Sequence, residues 1–74
     1  MSREHERAAA WRKRHGWSLE ALSVLSGYSR SSILWFERGR TPAGTAINEF
    51  CWQRYRRVCH SVEAEHRGGR KFGW

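Results

Sequence analysis

Glycine does most to limit what this chain can become. Its seven glycines stand at positions 16, 27, 39, 44, 68, 69 and 73, none of them inside a stretch with a helical apolar period. Glycine enters the left-handed region without steric cost and so closes helices. The intervals between these glycines read as helix-sized pieces. Pro42, the only proline, falls in the gap between the third and fourth pieces. Strands have little support, because Val, Ile and Thr total seven residues and nothing alternates.

The first piece runs from about Ser2 to His15, with Ser2 as its cap, Gly16 as its stop and Trp11 as its core anchor. Ala8, Ala9 and Ala10 favour the helix, and the basic residues Arg12 to Arg14 suit the negative end of its dipole. The second piece, Ser18 to Ser26, has Ser18 as cap and Glu20 in its first turn, with Ala21, Leu22 and Leu25 on one apolar face. The third, Ser29 to Arg38, is capped by Ser29. Its core stripe is Ile33 and Phe36, which leaves Leu34 and Trp35 off the stripe. The fourth begins between Pro42 and Thr45 and runs to about Glu65. Ile47, Phe50, Cys51, Arg54, Tyr55, Val58 and Val62 give it spacings of three and four. The expected fold is all-α, a compact bundle of four or five helices with a long C-terminal helix. Residues 1-65 form the domain, and 66-74 form a flexible tail that is both basic and aromatic.

Seventy-four residues allow one domain at most. A core this small usually needs a metal, a disulfide or a partner chain. Ten aromatic residues offer another source of buried area. Fourteen Lys and Arg face seven Glu and no Asp, giving a net charge of +7, and twelve of the fourteen are Arg. With a pI near 10.8, this balance points to nucleic acid or an anionic membrane surface, the plainer alternative being a soluble basic face. The N-terminus lacks the apolar core of a signal peptide, and no run can span a bilayer. Two cysteines, Cys51 and Cys59, make no disulfide framework. On one helix they would stand ~12 Å apart along the axis, too far to bridge. Free thiols suit a reducing cytoplasm, and a cytoplasmic, nucleoid-associated location is expected. Cys51, Cys59, His60 and His66 lack the close pairing of a zinc site, so no metal or cofactor is expected. Paired carboxylates, a phosphate-cradling glycine loop and a nucleophile triad are all missing, so the chain does not read as an enzyme.

The second and third pieces, separated by Gly27-Tyr28-Ser29, form a helix-turn-helix pattern. Gly27 ends the first helix tightly, Tyr28 plugs the corner, and Ser29 caps the second helix. The N-terminal residues of that second helix then project outward, toward a major groove. The stretch from Trp11 to Gly39 resembles the Cro/C1-type (XRE) helix-turn-helix family of regulators. The resemblance is carried by RHGWSLEAL, SGYSRSSI and FERGRTP, in order and without insertion, and it covers roughly Arg3 to Ile47.

The resemblance implies a lambda repressor-like core and a sequence-specific regulator of double-stranded DNA, a repressor of phage or mobile-element type. By position, Arg30 resembles the leading base reader, Ser31 the next, and Ser32 and Trp35 further DNA-facing residues. Arg12, Arg14, Ser18, Arg38 and Arg40 are implied as phosphate contacts. Glu37 resembles the acidic partner of a first-helix arginine, here Arg12. Read as a surface ion pair, that contact would contribute ~0–1 kcal/mol. Two positions depart from the family. Leu19 stands where a Gln commonly meets a phosphate, and Trp35 stands where a polar or basic residue is usual. Arg54, Arg56 and Arg57 read equally as a second phosphate patch or as a wet helix face.

One such module reads few base pairs, so a homodimer on an inverted-repeat operator is expected. Tyr55, Val58 and Val62 are its candidate surface, since an uncovered apolar stripe wants a partner. The competing idea is that Phe72 and Trp74 fold back over that stripe. A protein-binding adaptor using the long helix and exposed Trp35, Trp52 and Trp74 is the alternative function.

Overall fold

The computed structural model describes residues 3–66 and 68–74, and within them four helices: α1 (Glu4–Arg14), α2 (Leu19–Ser26), α3 (Arg30–Arg38) and α4 (Glu49–His66). Ser2, expected as the first cap, lies outside the described residues. Arg3 takes the cap position of α1 without a side-chain hydrogen bond. The helix relies instead on charge placement, with Glu4 and Glu6 in its first turn and Arg12, Lys13 and Arg14 in its last. Ser18 and Ser29 cap α2 and α3 by accepting from the N–H groups of Ala21 and Ser32. Gly27 and Gly39 end them in the left-handed conformation, at φ 82° and 75°.

The fourth helix starts later than expected. Residues 40–46 form a tight turn instead, closed by an antiparallel bridge between Arg40 and Ala46. The Thr41 N–H donates to the Thr45 carbonyl across it. Asn48 then caps α4, its side-chain oxygen accepting from the Cys51 N–H at 2.8 Å. Pro42 and Gly44 belong to this turn, and the Asn cap fixes where helical geometry begins.

The buried seam of α4 also differs from expectation. Trp52, Tyr55, Cys59, Val62 and Glu63 are buried, whereas Phe50 is 63% exposed and Cys51 is exposed. Two stripes of helical period overlap here and share Tyr55 and Val62, so period alone cannot separate them. The aromatic core selects the Trp52 side. Phe36 of α3 stacks flat on Tyr55 at 4.0 Å between centroids, and Trp52 stands edge-on to Phe36 at 5.0 Å. Tyr28 closes the corner edge-on to both Phe36 and Tyr55. Such offset and edge contacts add to the large area each ring buries.

Trp11, Leu22, Ile33, Tyr55 and Cys59 are fully buried at the centre, where α3 packs against α1 and α2, and α4 against α2. The radius of gyration is 11.6 Å, against about 11 Å for a compact chain of this length. One chain therefore closes on itself. Residues 72–74 of the C-terminal segment pack onto its core. The Phe72 and Gly73 N–H groups donate to Glu63, Trp74 donates its indole N–H to Glu4, and the Trp74 ring packs on Trp11 and Tyr55.

Candidate nucleic-acid interface

Helix α3 has two faces. Ile33 and Phe36 are buried, while Arg30 and Ser31 are exposed at its start. This follows from local chemistry. Ser29 ends the extended turn and begins the helix, and the next two residues stand in its first turn, ahead of the buried Ile33–Phe36 stripe. Ser32 is less free than expected, because Ser29 Oγ donates to its hydroxyl at 2.9 Å while also accepting from its N–H. Its hydroxyl belongs to the cap. Trp35 is half-buried and walls an apolar cleft of about 280 Å³ with Tyr28, Ser32, Phe36, Thr41, Ile47 and Cys51.

The expected phosphate contacts divide into two groups. Arg38 and Arg40 are exposed as the chain leaves α3. Arg40 is steadied by a 3.1 Å hydrogen bond from its guanidinium to the Gly44 carbonyl. Arg14 is exposed too, its guanidinium 6.0 Å from the Phe72 ring centroid. The Ser18 hydroxyl is exposed and occupied in capping α2.

Arg12 is different. Its Nε and Nη2 donate to the two Glu37 oxygens at 2.6 and 3.0 Å, and its Nη1 donates to the Trp17 carbonyl at 2.9 Å. The side chains keep only 12% and 9% of their exposure. Hydrogen bonding to Glu37 raises the pKa of Arg12 further. With three of its five N–H donors engaged inside the fold, Arg12 ties α1 to α3. The pair is also no surface pair, so the small contribution expected of it is revised upward.

In the other Arg cluster, Arg56 pairs with Glu4 at 3.1 Å and Glu49 at 3.5 Å. Arg56 and Arg57 line one shallow hollow with Gln53 and His60, whereas Arg54 lies beside Tyr28, Phe36 and Cys51. Leu19 packs against the core, consistent with an apolar residue in place of a phosphate-meeting amide. Of the candidate dimer surface, Tyr55 and Val62 are 1% and 5% exposed, and Val58 is partly buried against the core. Of the aromatics offered to a protein partner, Trp52 is buried and Trp74 packs on the core.

Sequence reasoning missed His15 and Glu63. His15 is 3% exposed and Glu63 4%, their side chains 2.7 Å apart. The available signals were the register of His15, four residues after Trp11, and the neighbour of Glu63, Val62, on the buried stripe. Burial alone would raise the Glu63 pKa. Hydrogen bonds from His15, from the Gly73 and Phe72 backbone and from Trp11 outweigh it and hold the carboxyl at about 2. Burial pushes the Cys59 thiol up to about 12, where it is a small apolar core group. Among the described residues, no group of three or more His, Cys, Asp or Glu is placed to hold a metal ion, and no helix is long and apolar enough to cross a membrane.

A family model described as a helix-turn-helix domain matches residues 6–59 of this chain, from α1 into α4. No curated protein and no solved structure matches it.

Proposed function

The chain belongs to the helix-turn-helix domain family, and on that footing we propose that it is a sequence-specific regulator of double-stranded DNA. The observation that carries the proposal is the two-faced α3, with Ile33 and Phe36 anchored in the core and Arg30 and Ser31 presented at its start. Residues just inside the cap of a recognition helix are those that reach base edges. Arg30 has the fork to engage guanine O6 and N7 together. Ser31 follows it, Trp35 offers an apolar contact to a thymine methyl, and Arg38 and Arg40 grip the backbone. The net charge of +7 supplies the sequence-independent attraction.

The finer reading is a repressor of phage or mobile-element type. It acts as a homodimer at least on DNA, since one recognition helix covers only a few base pairs. Sequencing of genomic fragments captured by the protein tests this, and an enriched inverted repeat is the expected result. Arg30→Ala should relax preference at one position per half-site and cost about 1–3 kcal/mol on the selected duplex, with little loss on random duplex. Capture of fragments with no shared sequence would refute the sequence-specific reading. Equal losses on both duplexes would reassign Arg30 to the backbone.

A further inference from the structure

Two carboxylates build the 70–74 segment into the domain: Glu4 holds the Trp74 indole, and Glu63 holds the backbone before it. Glu63 Oε2 receives the Trp11 indole N–H at 2.8 Å, His15 Nε2 at 2.7 Å, and the backbone N–H groups of Phe72 and Gly73 at 2.8 and 3.0 Å. Donors converge this way on full negative charge, because charge-assisted hydrogen bonds are the stronger ones. The result is a fixed place for Phe72. Its ring stands edge-on to His15 at 4.8 Å, and His15 stacks flat on Trp17 at 4.2 Å. Trp17 directly precedes Ser18, the cap of α2. The Arg14 guanidinium also lies over the Phe72 ring, 6.0 Å from its centroid. Arg70 and Lys71, both exposed, immediately precede this anchored ring.

We propose that the 70–74 segment is a fixed part of the DNA-binding surface, in which Arg70 and Lys71, with Arg14, contact backbone phosphates beside the start of α2. This inference rests on the DNA-binding reading above. The start of α2 carries unpaired N–H groups and the positive end of a helix dipole, a combination suited to phosphate. In this motif the first of the two helices crosses the backbone. Arg70 and Lys71, on the stretch of chain that Phe72 anchors toward that corner, would extend the same contact. A segment already ordered also loses less freedom on binding than a loose tail would. Glu63 acts through the segment as a positioning residue. The competing account is that the segment serves only to cover Trp11 and Tyr55, with its cations merely solvated.

The double variant Arg70→Gln/Lys71→Gln separates these accounts. Binding of selected and random-sequence duplexes is followed by fluorescence anisotropy from 50 to 200 mM salt. The expected result is a salt slope lower by about 2 and affinity about tenfold weaker at 0.1 M salt on both duplexes. The melting temperature should not change, since both side chains are exposed. Glu63→Gln should lower the slope similarly while keeping both cations, with faster amide exchange at Phe72 and Gly73. If that variant does not fold, the double variant still decides. Unchanged affinity and slope in the double variant, with the parent protein binding DNA, overturns the inference and leaves the DNA-binding reading standing. A parent protein that binds neither duplex removes both.

Discussion

Replacing Arg12 tests the strut between α1 and α3. Arg12→Ala removes three hydrogen bonds and leaves the Glu37 carboxylate, whose side chain is only 9% exposed, without its counter-ion. Breaking a buried pair on one side typically costs about 3–5 kcal/mol, because the remaining charge is stranded. This pair retains some solvent, so the lower end, about 3 kcal/mol, is the appropriate figure. A chain of this length has a total stability of about 4–11 kcal/mol. The loss is therefore a large share of the whole, and at about 4–8 °C per kcal/mol the melting temperature should fall by roughly 12–24 °C. Urea melts of the parent, Arg12→Ala, Glu37→Ala and the double variant complete a thermodynamic cycle. The double variant should be clearly less damaged than the sum of the singles, because no charge is left stranded. A coupling below ~0.5 kcal/mol, the range of additive sites, would refute the reasoning. It would return the pair to the ordinary surface class.

Two further outcomes follow from the core. Glu63 is held at about 2, below its ordinary 4.5, so the stability it contributes is present above the ordinary value and is lost as pH falls toward the lowered one. The shift corresponds to about 3 kcal/mol. Urea melts at several pH values should show this acid loss, and Glu63→Gln should flatten it; an identical acid limb in both proteins would contradict the assignment. Leu22 is 0% exposed, so Leu22→Ala should cost about 2–5 kcal/mol through lost burial and a cavity. A loss under 1 kcal/mol in the same assay would mean that the α2–α3 corner collapses freely.

What the sequence disclosed was largely what is decided within a few residues. Ser18, Ser29, Gly27 and Gly39 set helix ends through bonds of three or four positions, so their roles were readable in place. The exposure of Arg30 follows from its place as the first residue after the Ser29 cap. The seam of α4 was not readable, since both overlapping stripes have helical spacing and only the Phe36–Tyr55 stack chooses between them. The depth of the Arg12–Glu37 pair was hidden for a similar reason: exposure depends on how Trp17 and α3 cover it. Glu63 and the 70–74 segment were hardest, because their partners lie far away in sequence and a basic, glycine-containing stretch looks solvated.

Those distant partners bear on how the domain comes into being. Glu63 reaches Trp11 and His15 across 52 and 48 positions, and Glu4 reaches Arg56 and Trp74 across 52 and 70. During synthesis at about 5–20 residues per second, the stretch that follows α3 takes seconds to emerge, whereas a helix forms in about a microsecond. A nascent chain therefore displays Arg30, Ser31 and Arg38 well before it owns Glu63 and Trp74, the groups that close over Trp11. For that interval Trp11 lacks the Glu63 carboxylate and the Trp74 ring. The growing polypeptide is a basic, half-roofed helix cluster that only its own later residues can close.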